Sequence, residues 1–201
     1  MAYSPCVSDV AKNIVKNCSK PIVGGYTGRG VLVPLDKAPT FTVNALNPRT
    51  IVRIEMSGNS GETDKFIAID NVFTDPFAGT NKASNGDSGS IKHTKTFTFR
   101  IPQRGSDVSR DIVEALIASP LGFVAVLEKK DRVGNGSFEV IGYQDALKVT
   151  ADGVTQDETA NDGATTVTMS CSEHYFEVVL FDTCYASTLT AFEAMLANTL
   201  A

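Results

Sequence analysis

The chain has 201 residues, 42% hydrophobic and 20% charged, with a formal net charge of −5 at pH 7. This composition predicts one globular domain with a sizeable core and argues against a disordered chain. The acidic balance argues against sequence-independent nucleic-acid binding, and no apolar run approaches the roughly 20 residues that span a bilayer. The N-terminus shows no basic and then apolar stretch, so we expect no signal peptide and synthesis in the cytoplasm.

The first part of the chain predicts a short helix followed by short strands. Apolar residues recur at three- and four-residue spacing from Val7 to Val15, which is typical of an amphipathic helix. The glycine-rich stretch at residues 24–30 predicts a connection. Strands are expected at residues 30–35, 41–45, 50–57 and 65–72. Because Pro34 cannot donate a backbone hydrogen bond, we expect the first strand either to lie at a sheet edge or to end near Pro34.

Residues 74–95 differ from their surroundings. They are rich in Gly, Ser, Asn, Thr and Lys and show no hydrophobic period. Loops longer than about 12–15 residues are uncommon in compact domains and are often functional or disordered. Strand-like sequence flanks the segment on both sides. The pattern therefore predicts a long mobile loop between two antiparallel strands, ordered by contact with a neighbouring subunit.

The second half of the chain has a more regular pattern. Phe97, Phe99 and Ile101 alternate with polar residues, which predicts a half-buried strand. We expect a helix to residue 118, a hairpin turning at Asn135-Gly136, strands at residues 146–151, 164–172 and 175–181, and a C-terminal helix from Thr188. Gly142 is expected to mark a bulge or a close backbone crossing. The predicted fold is mainly β: a single domain over residues 1–201, built as an antiparallel β-sandwich or barrel with one flanking helix and helical terminal segments.

The chemistry-bearing residues form no recognisable catalytic or metal-binding motif. The cysteines Cys6, Cys18, Cys171 and Cys184 do not have metal-ligand spacing, and we expect them to be reduced, with a Cys6–Cys18 bridge left open. Neither histidine lies in a nucleophile–base motif. The acidic segment at residues 152–163 does not match the calcium-loop pattern, although weak calcium binding stays open. We therefore expect no cofactor, no metal and no enzymatic activity.

One stretch, residues 123–177, resembles a segment of virion structural proteins from tailed phages that infect Bacteroidetes. The shared pattern is an apolar strand, a turn at residues 131–136, and an aromatic strand ending in Gly142-Tyr143. A strand at residues 147–149, a loop rich in Asp, Asn and Gly, and a Thr-rich strand follow. The short N-terminal helix and glycine-rich link fit the same pattern. The chain is thus similar to tail tube or tail-connector subunits.

This resemblance implies self-assembly rather than catalysis. Such subunits have a β-sandwich or barrel with a flanking helix, and they usually form hexameric rings that stack around a β-lined lumen. The implied partners are copies of the chain and other tail or connector proteins, with DNA only passing through the lumen and no membrane. The implied location is the virion, after synthesis in the host cytoplasm. Residues 74–95 would be the assembly loop between rings, with these contact residues: Thr74, Asp75, Phe77, Asn81, Lys82, Asn85, Asp87, Lys92, His93 and Lys95.

Two other classes of function stay open at this point. The same β architecture suits a capsid decoration or fibre-associated module that binds a glycan or a partner protein. Tyr26, Tyr143 and Tyr175 would be its contact candidates, although a core position is the simpler interpretation of each. An enzyme of unrecognised class is the third hypothesis, and it would need converging ionisable groups in a pocket.

Overall fold

The fold was analysed in a computed structural model, which describes residues 25–56, 66–70, 77–85, 91–102, 109–132, 136–156 and 164–197. The predicted N-terminal helix lies outside these residues. So do residues 74–76 and 86–90 of the predicted loop, and residues 157–163 of the acidic segment. The three predictions on them are not tested by the structure.

The described residues form eleven strands and two helices. The strands are β1 (Tyr26–Pro34), β2 (Thr40–Asn44), β3 (Asn47–Glu55), β4 (Ile67–Asp70), β5 (Phe77–Asn85), β6 (Ile91–Ile101), β7 (Phe123–Lys129), β8 (Phe138–Ile141), β9 (Lys148–Gln156), β10 (Thr165–Glu173) and β11 (Val178–Leu180). The helices are α1 (Ala115–Ala118), which continues a wide helical turn at Ser109–Glu114, and α2 (Tyr185–Ala197).

The strands form two sheets that pack as a sandwich. The large sheet has the order β2-β3-β11-β8-β7-β1-β4, and the small sheet has the order β5-β6-β10-β9. Neighbouring strands are antiparallel except β11 and β3, which run parallel. No pairing among the described residues closes either sheet into a barrel. The predicted mainly β fold is confirmed, in its sandwich form.

Strands β1 and β7 of the large sheet are buried on both faces, which explains their apolar runs. Leu32 of β1 faces the small sheet, where it belongs to one core cluster with Phe97 and Met169. Its neighbours Val31 and Val33 face the other way, into a second cluster with α2. Strands covered on both faces lose the apolar–polar alternation. β1 lies inside the sheet between β7 and β4 and ends at Pro34, so the prediction holds as a strand end and not as a sheet edge.

The small sheet keeps the alternation that its sequence predicts. In β6 and β10 the odd-numbered residues point into the sandwich and the even-numbered residues point away from it. Phe97 and Met169, which are register partners, are fully buried between the sheets. On the outer face the hydroxyls of Thr98 and Thr168 lie 3.1 Å apart.

The predicted loop is wrong over its described residues, 77–85 and 91–95, which belong to strands. Residues 77–85 form β5, which pairs with β6 from Phe77 opposite Phe99 to Asn85 opposite Ile91. The predicted pairing of the two flanking strands is also wrong, because β4 pairs with β1 in the large sheet while β6 belongs to the small sheet. Pairing with β6 supplies the backbone hydrogen bonds that make a strand of this polar segment, in spite of its low strand propensity.

A bulge in β3 determines which of its side chains are buried. Ile51 and Ile54 are both buried in the cluster under α2, although strict alternation would place them on opposite faces. The register with β2 shifts between Arg53 and Ile51, so that one extra residue of β3 is accommodated there. An inserted residue inverts the side-chain parity beyond it, which brings both isoleucines to one face.

Helix α2 and one tight glycine complete the body of the domain. α2 buries Thr188, Phe192 and Met195 against the large sheet, and its first turn is held by hydrogen bonds between Thr188 and Cys184. The helix therefore begins at Tyr185, ahead of the predicted start. At Gly142, φ is +90° and a Cβ would lie 2.8 Å from the Phe123 carbonyl oxygen. Of the bulge and the close crossing predicted at this glycine, the structure shows the close crossing.

Candidate functional site

The predicted assembly residues separate into two groups in the structure. Lys82 and Lys92 are exposed on β5 and β6. In contrast, Phe77, His93 and Lys95 face the interior, with 7%, 8% and 2% of their surface exposed. Thr74, Asp75 and Asp87 lie outside the described residues, and only the backbone of Asn85 is described. The interior group, together with Asn81, points to a polar site between the sheets.

A buried ion pair is the centre of this site. Lys95 Nζ lies 2.5 Å from Glu173 Oε2, and the two side chains are 2% and 0% exposed. Beyond this ion pair, neither atom has a hydrogen-bond partner among the described residues, and neither does His93 Nδ1. A buried charge needs both pairing and hydrogen bonds to offset its desolvation. The pair is therefore only partly satisfied.

The other carboxylate oxygen of Glu173 holds the segment after β8. Its Oε1 accepts hydrogen bonds from the backbone N–H groups of Gly142, at 3.0 Å, and Gln144, at 3.3 Å. The side-chain oxygen of Gln144 in turn accepts from the backbone N–H groups of His174 and Tyr175. Glu173 thus pairs with Lys95 within the small sheet and joins that sheet to the segment after β8 of the large sheet through backbone hydrogen bonds.

A second charged cluster lies on the large sheet beside this pair. Lys129 Nζ is 3.0 Å from Glu139 and 2.5 Å from Glu177, and the hydroxyl of Tyr26 donates to Glu139 at 3.0 Å. Burial lowers the pKa of Lys129, but the two carboxylates outweigh burial and hold that pKa above its ordinary value. Burial and the charge of Glu139 raise the pKa of Tyr26, which therefore remains a phenol.

Asn81 links β5 to the turn that precedes β11. Its side-chain amide donates a 2.8 Å hydrogen bond to the carbonyl oxygen of Phe176. The ring of Phe176 stands edge-to-face against His93, with centroids 5.5 Å apart, and 59% of its surface is exposed. Thus Asn81 and His93, both predicted as subunit contacts, hold an intramolecular turn in place.

Several of these groups line a cavity of about 260 Å³ between the sheets, which we call the inter-sheet pocket. It is bounded by both sheets and by the turn before β11. Its lining residues are Tyr26, Asn81, Lys95, Thr96, Lys129, Glu139, Ile141, Phe176 and Glu177. The pocket offers ammonium, carboxylate, amide and aromatic groups within one small volume.

A separate buried carboxylate fastens α2 to the large sheet. Glu128 is fully buried, and it accepts hydrogen bonds from the hydroxyls of Thr27, at 2.9 Å, and Tyr185, at 3.3 Å. The guanidinium groups of Arg29 and Arg132 each lie 3.6 Å from its carboxylate. Charge and hydrogen bonds together satisfy Glu128, so this cluster is an anchor for the helix rather than an open site.

Two cysteines in the described region should differ sharply in reactivity. Burial, with the charge of Glu173, raises the pKa of the Cys171 thiol to about 12. Hydrogen bonds from Ser187 lower the pKa of the exposed Cys184 thiol. Because the thiolate is the reactive form, we expect Cys184 to be alkylated at least about a thousandfold faster than Cys171 at pH 8.

Timed iodoacetamide labelling with peptide mass spectrometry measures these rates. In denaturant both thiols should be labelled at similar rates, which is the control for sequence context. Equal labelling of Cys171 and Cys184 in the folded protein would contradict the buried position of Cys171. The peptides that carry Cys6 and Cys18 are resolved separately by mass.

The described region lacks two features, a metal-ligand group and a membrane-spanning helix. Its His, Cys, Asp and Glu residues form no group of three or more that could hold a metal ion. Neither of its helices is long and apolar enough to cross a membrane.

When the chain is compared with protein families, curated proteins and solved structures, no match is found.

The sequence indicates that Lys95 and Glu173 face inward, although residues 74–95 were predicted to be a loop. His93 and Lys95 share odd numbering with Phe97 and so belong to the inward face of the same strand. Glu173 has the same relation to Met169 in β10. Side-chain parity, continued past the last apolar residue of each strand, would have placed these polar groups between the sheets.

Proposed function

We propose that this protein is a non-enzymatic structural subunit of a tailed-phage virion, which assembles with itself into rings or a tube. The resemblance of residues 123–177 to tail tube and connector proteins motivates this function. The sandwich with a flanking helix agrees with the architecture that the resemblance implies. Copies of the chain and other tail or connector proteins are the proposed partners, and DNA would only pass through the lumen.

The observation that carries the proposal is the pair of long edges on the small sheet. β5 and β9 are its outer strands, each with nine residues, and no described strand pairs with their outer edges. Unpaired edges are templates for another chain. Successive strands of this sheet are antiparallel, so β5 of one copy would also run antiparallel to β9 of the next. Such head-to-tail contacts close into rings when the rotation permits.

The decoration-module alternative loses its predicted contact residues to packing within the fold. Tyr26 donates to Glu139, Tyr143 packs edge-to-face on Phe41, and Tyr175 lies under the guanidinium of Arg49. All three side chains are partly buried. None therefore presents a free aromatic surface to a glycan, and self-assembly stays the better-supported proposal.

Electron microscopy and mass measurement over a concentration series test the proposed assembly. Rings or tubes of one diameter are expected. Replacing residues 86–90 with Asn-Gly would keep β5 and β6 and shorten only their connection, so single rings should persist while stacking is lost. The same replacement of the exposed Ala45-Leu46 turn, which joins β2 to β3, is the matched control and should stack normally. A protein that stays monomeric at every concentration would refute the proposal.

A further inference from the structure

The inter-sheet pocket contains more polar groups than the packing of the sandwich requires. Lys95 lines the pocket and is paired with the buried Glu173. Beyond that ion pair, neither Lys95 Nζ nor Glu173 Oε2 has a hydrogen-bond partner among the described residues. Its volume of about 260 Å³ lies just below the roughly 300–1,000 Å³ typical of ligand pockets. A volume of that size fits one small ring-shaped molecule with its polar substituents.

The charges of the pocket favour a neutral ligand. Glu139 and Glu177 each contact Lys129, and Glu173 contacts Lys95. The lining residues carry two ammonium groups and two carboxylates, so neither a phosphate nor a free amine meets a net opposite charge in the lining itself. Glu173, which is outside the lining, adds one negative charge and further disfavours an anion. A molecule that both donates and accepts hydrogen bonds can instead use the ammonium protons of Lys95 and the carboxylate oxygens of Glu177.

An aromatic ring lines the pocket together with the charged groups. Phe176 lines the cavity and keeps 59% of its surface exposed, although it is a large apolar residue. Its position is fixed, because its carbonyl oxygen accepts from Asn81 and its ring rests against His93. A held and exposed ring offers a flat apolar face beside charged hydrogen-bonding groups. A sugar has the matching shape: one apolar C–H face and a rim of hydroxyls.

We propose that the inter-sheet pocket binds a neutral saccharide, as a free monosaccharide or as a terminal residue of a glycan. The sugar ring lies on Phe176, and its hydroxyls hydrogen-bond to Lys95 and Glu177. Lys129 and Asn81 hold these groups in place. The proposal does not depend on self-assembly, because all of these residues belong to one chain.

Saturation-transfer NMR and calorimetric titration with glucose, galactose, fucose and N-acetylglucosamine test the site, with inorganic phosphate and ethylamine as charged probes. At least one of the four sugars should bind. Phe176→Ala should weaken binding by at least about tenfold. Phe176→Tyr should retain binding, because it keeps the aromatic face. Leu46→Ala removes another exposed apolar side chain, 97% exposed and outside the pocket, and should leave binding unchanged.

Three outcomes would overturn the proposal. The first is that none of the four sugars binds to a folded protein. The second is that sugar binding is as strong in Phe176→Ala as in the wild type. The third is that phosphate or ethylamine binds in the pocket in preference to the sugars, which would show a charge-selective site.

Discussion

Replacing Lys95 with methionine should destabilise the protein by about 3–5 kcal/mol, because it leaves the carboxylate of Glu173 buried without its cation. Both side chains are almost fully buried, and their charged atoms lie 2.5 Å apart. Methionine keeps the length of the lysine stem, so loss of packing contributes little. Urea unfolding followed by circular dichroism measures the change, which should appear as a lower midpoint with an unchanged slope.

A double-mutant cycle separates the charge effect from general damage. Glu173→Gln alone should also destabilise, since it leaves the ammonium of Lys95 unpaired. Glutamine keeps a side-chain oxygen that can accept from Gly142 and Gln144. The combination Lys95→Met with Glu173→Gln removes both charges and should recover at least half of the loss. If the two single effects simply add, the residues are not coupled and the ion pair has no structural role.

Phe97→Ala should have an effect of similar size for a different reason. Phe97 is fully buried between the sheets, and its ring contacts Phe77 at 5.5 Å and Phe99 at 5.3 Å between centroids. Truncating it removes apolar contacts and leaves a cavity that the two sheets cannot fully close. We therefore expect a loss of about 3–5 kcal/mol in the free energy of unfolding.

Phe176→Ala is the matched control for this substitution. It removes the same side chain from a position that is 59% exposed, so the cost should stay below about 1 kcal/mol. Thermal and urea unfolding of both variants provide the comparison. Similar losses in the two variants would mean that Phe97 is not the core residue that its burial indicates.

Sequence patterns predicted the parts of the fold where side chains alone decide the structure. The alternation around Phe97 and Phe99 predicted β6, and Asn135-Gly136 predicted the antiparallel pairing of β7 and β8. Both signals are local, because strand parity and turn chemistry depend on a few neighbouring residues. The same reasoning identified Gly142 as a point of close backbone approach, which the structure confirms.

Features that depend on residues distant in sequence could not be predicted from sequence patterns. β5 is polar, with glycine and asparagine in its sequence, and it is a strand because β6 lies beside it. The bulge that brings Ile51 and Ile54 to one face follows from pairing with β2. Lys95 and Glu173 are separated in sequence by α1, β7, β8 and β9, and only the pairing of β6 with β10 brings them together.

Disulfide trapping between the edges of the small sheet tests the proposed assembly most directly. The exposed positions are Lys82 on β5 and Ala151 and Gln156 on β9. Lys82→Cys is combined with either Ala151→Cys or Gln156→Cys, in a background that carries Cys6→Ser, Cys18→Ser and Cys184→Ser. β5 and β9 are three strand spacings apart, about 14 Å, which exceeds the roughly 7 Å limit between Cα atoms for a disulfide. A bond between them must therefore join two chains.

Oxidation of assembled protein should convert at least one of these cysteine pairs into a ladder of covalent oligomers that stops at the ring size. Lys82→Cys combined with Leu46→Cys, which lies at the turn between β2 and β3, should give no ladder. A ladder confined to the β5–β9 pairs would support edge-to-edge assembly. No ladder from either pair, or an equal one from the Leu46→Cys control, would contradict it.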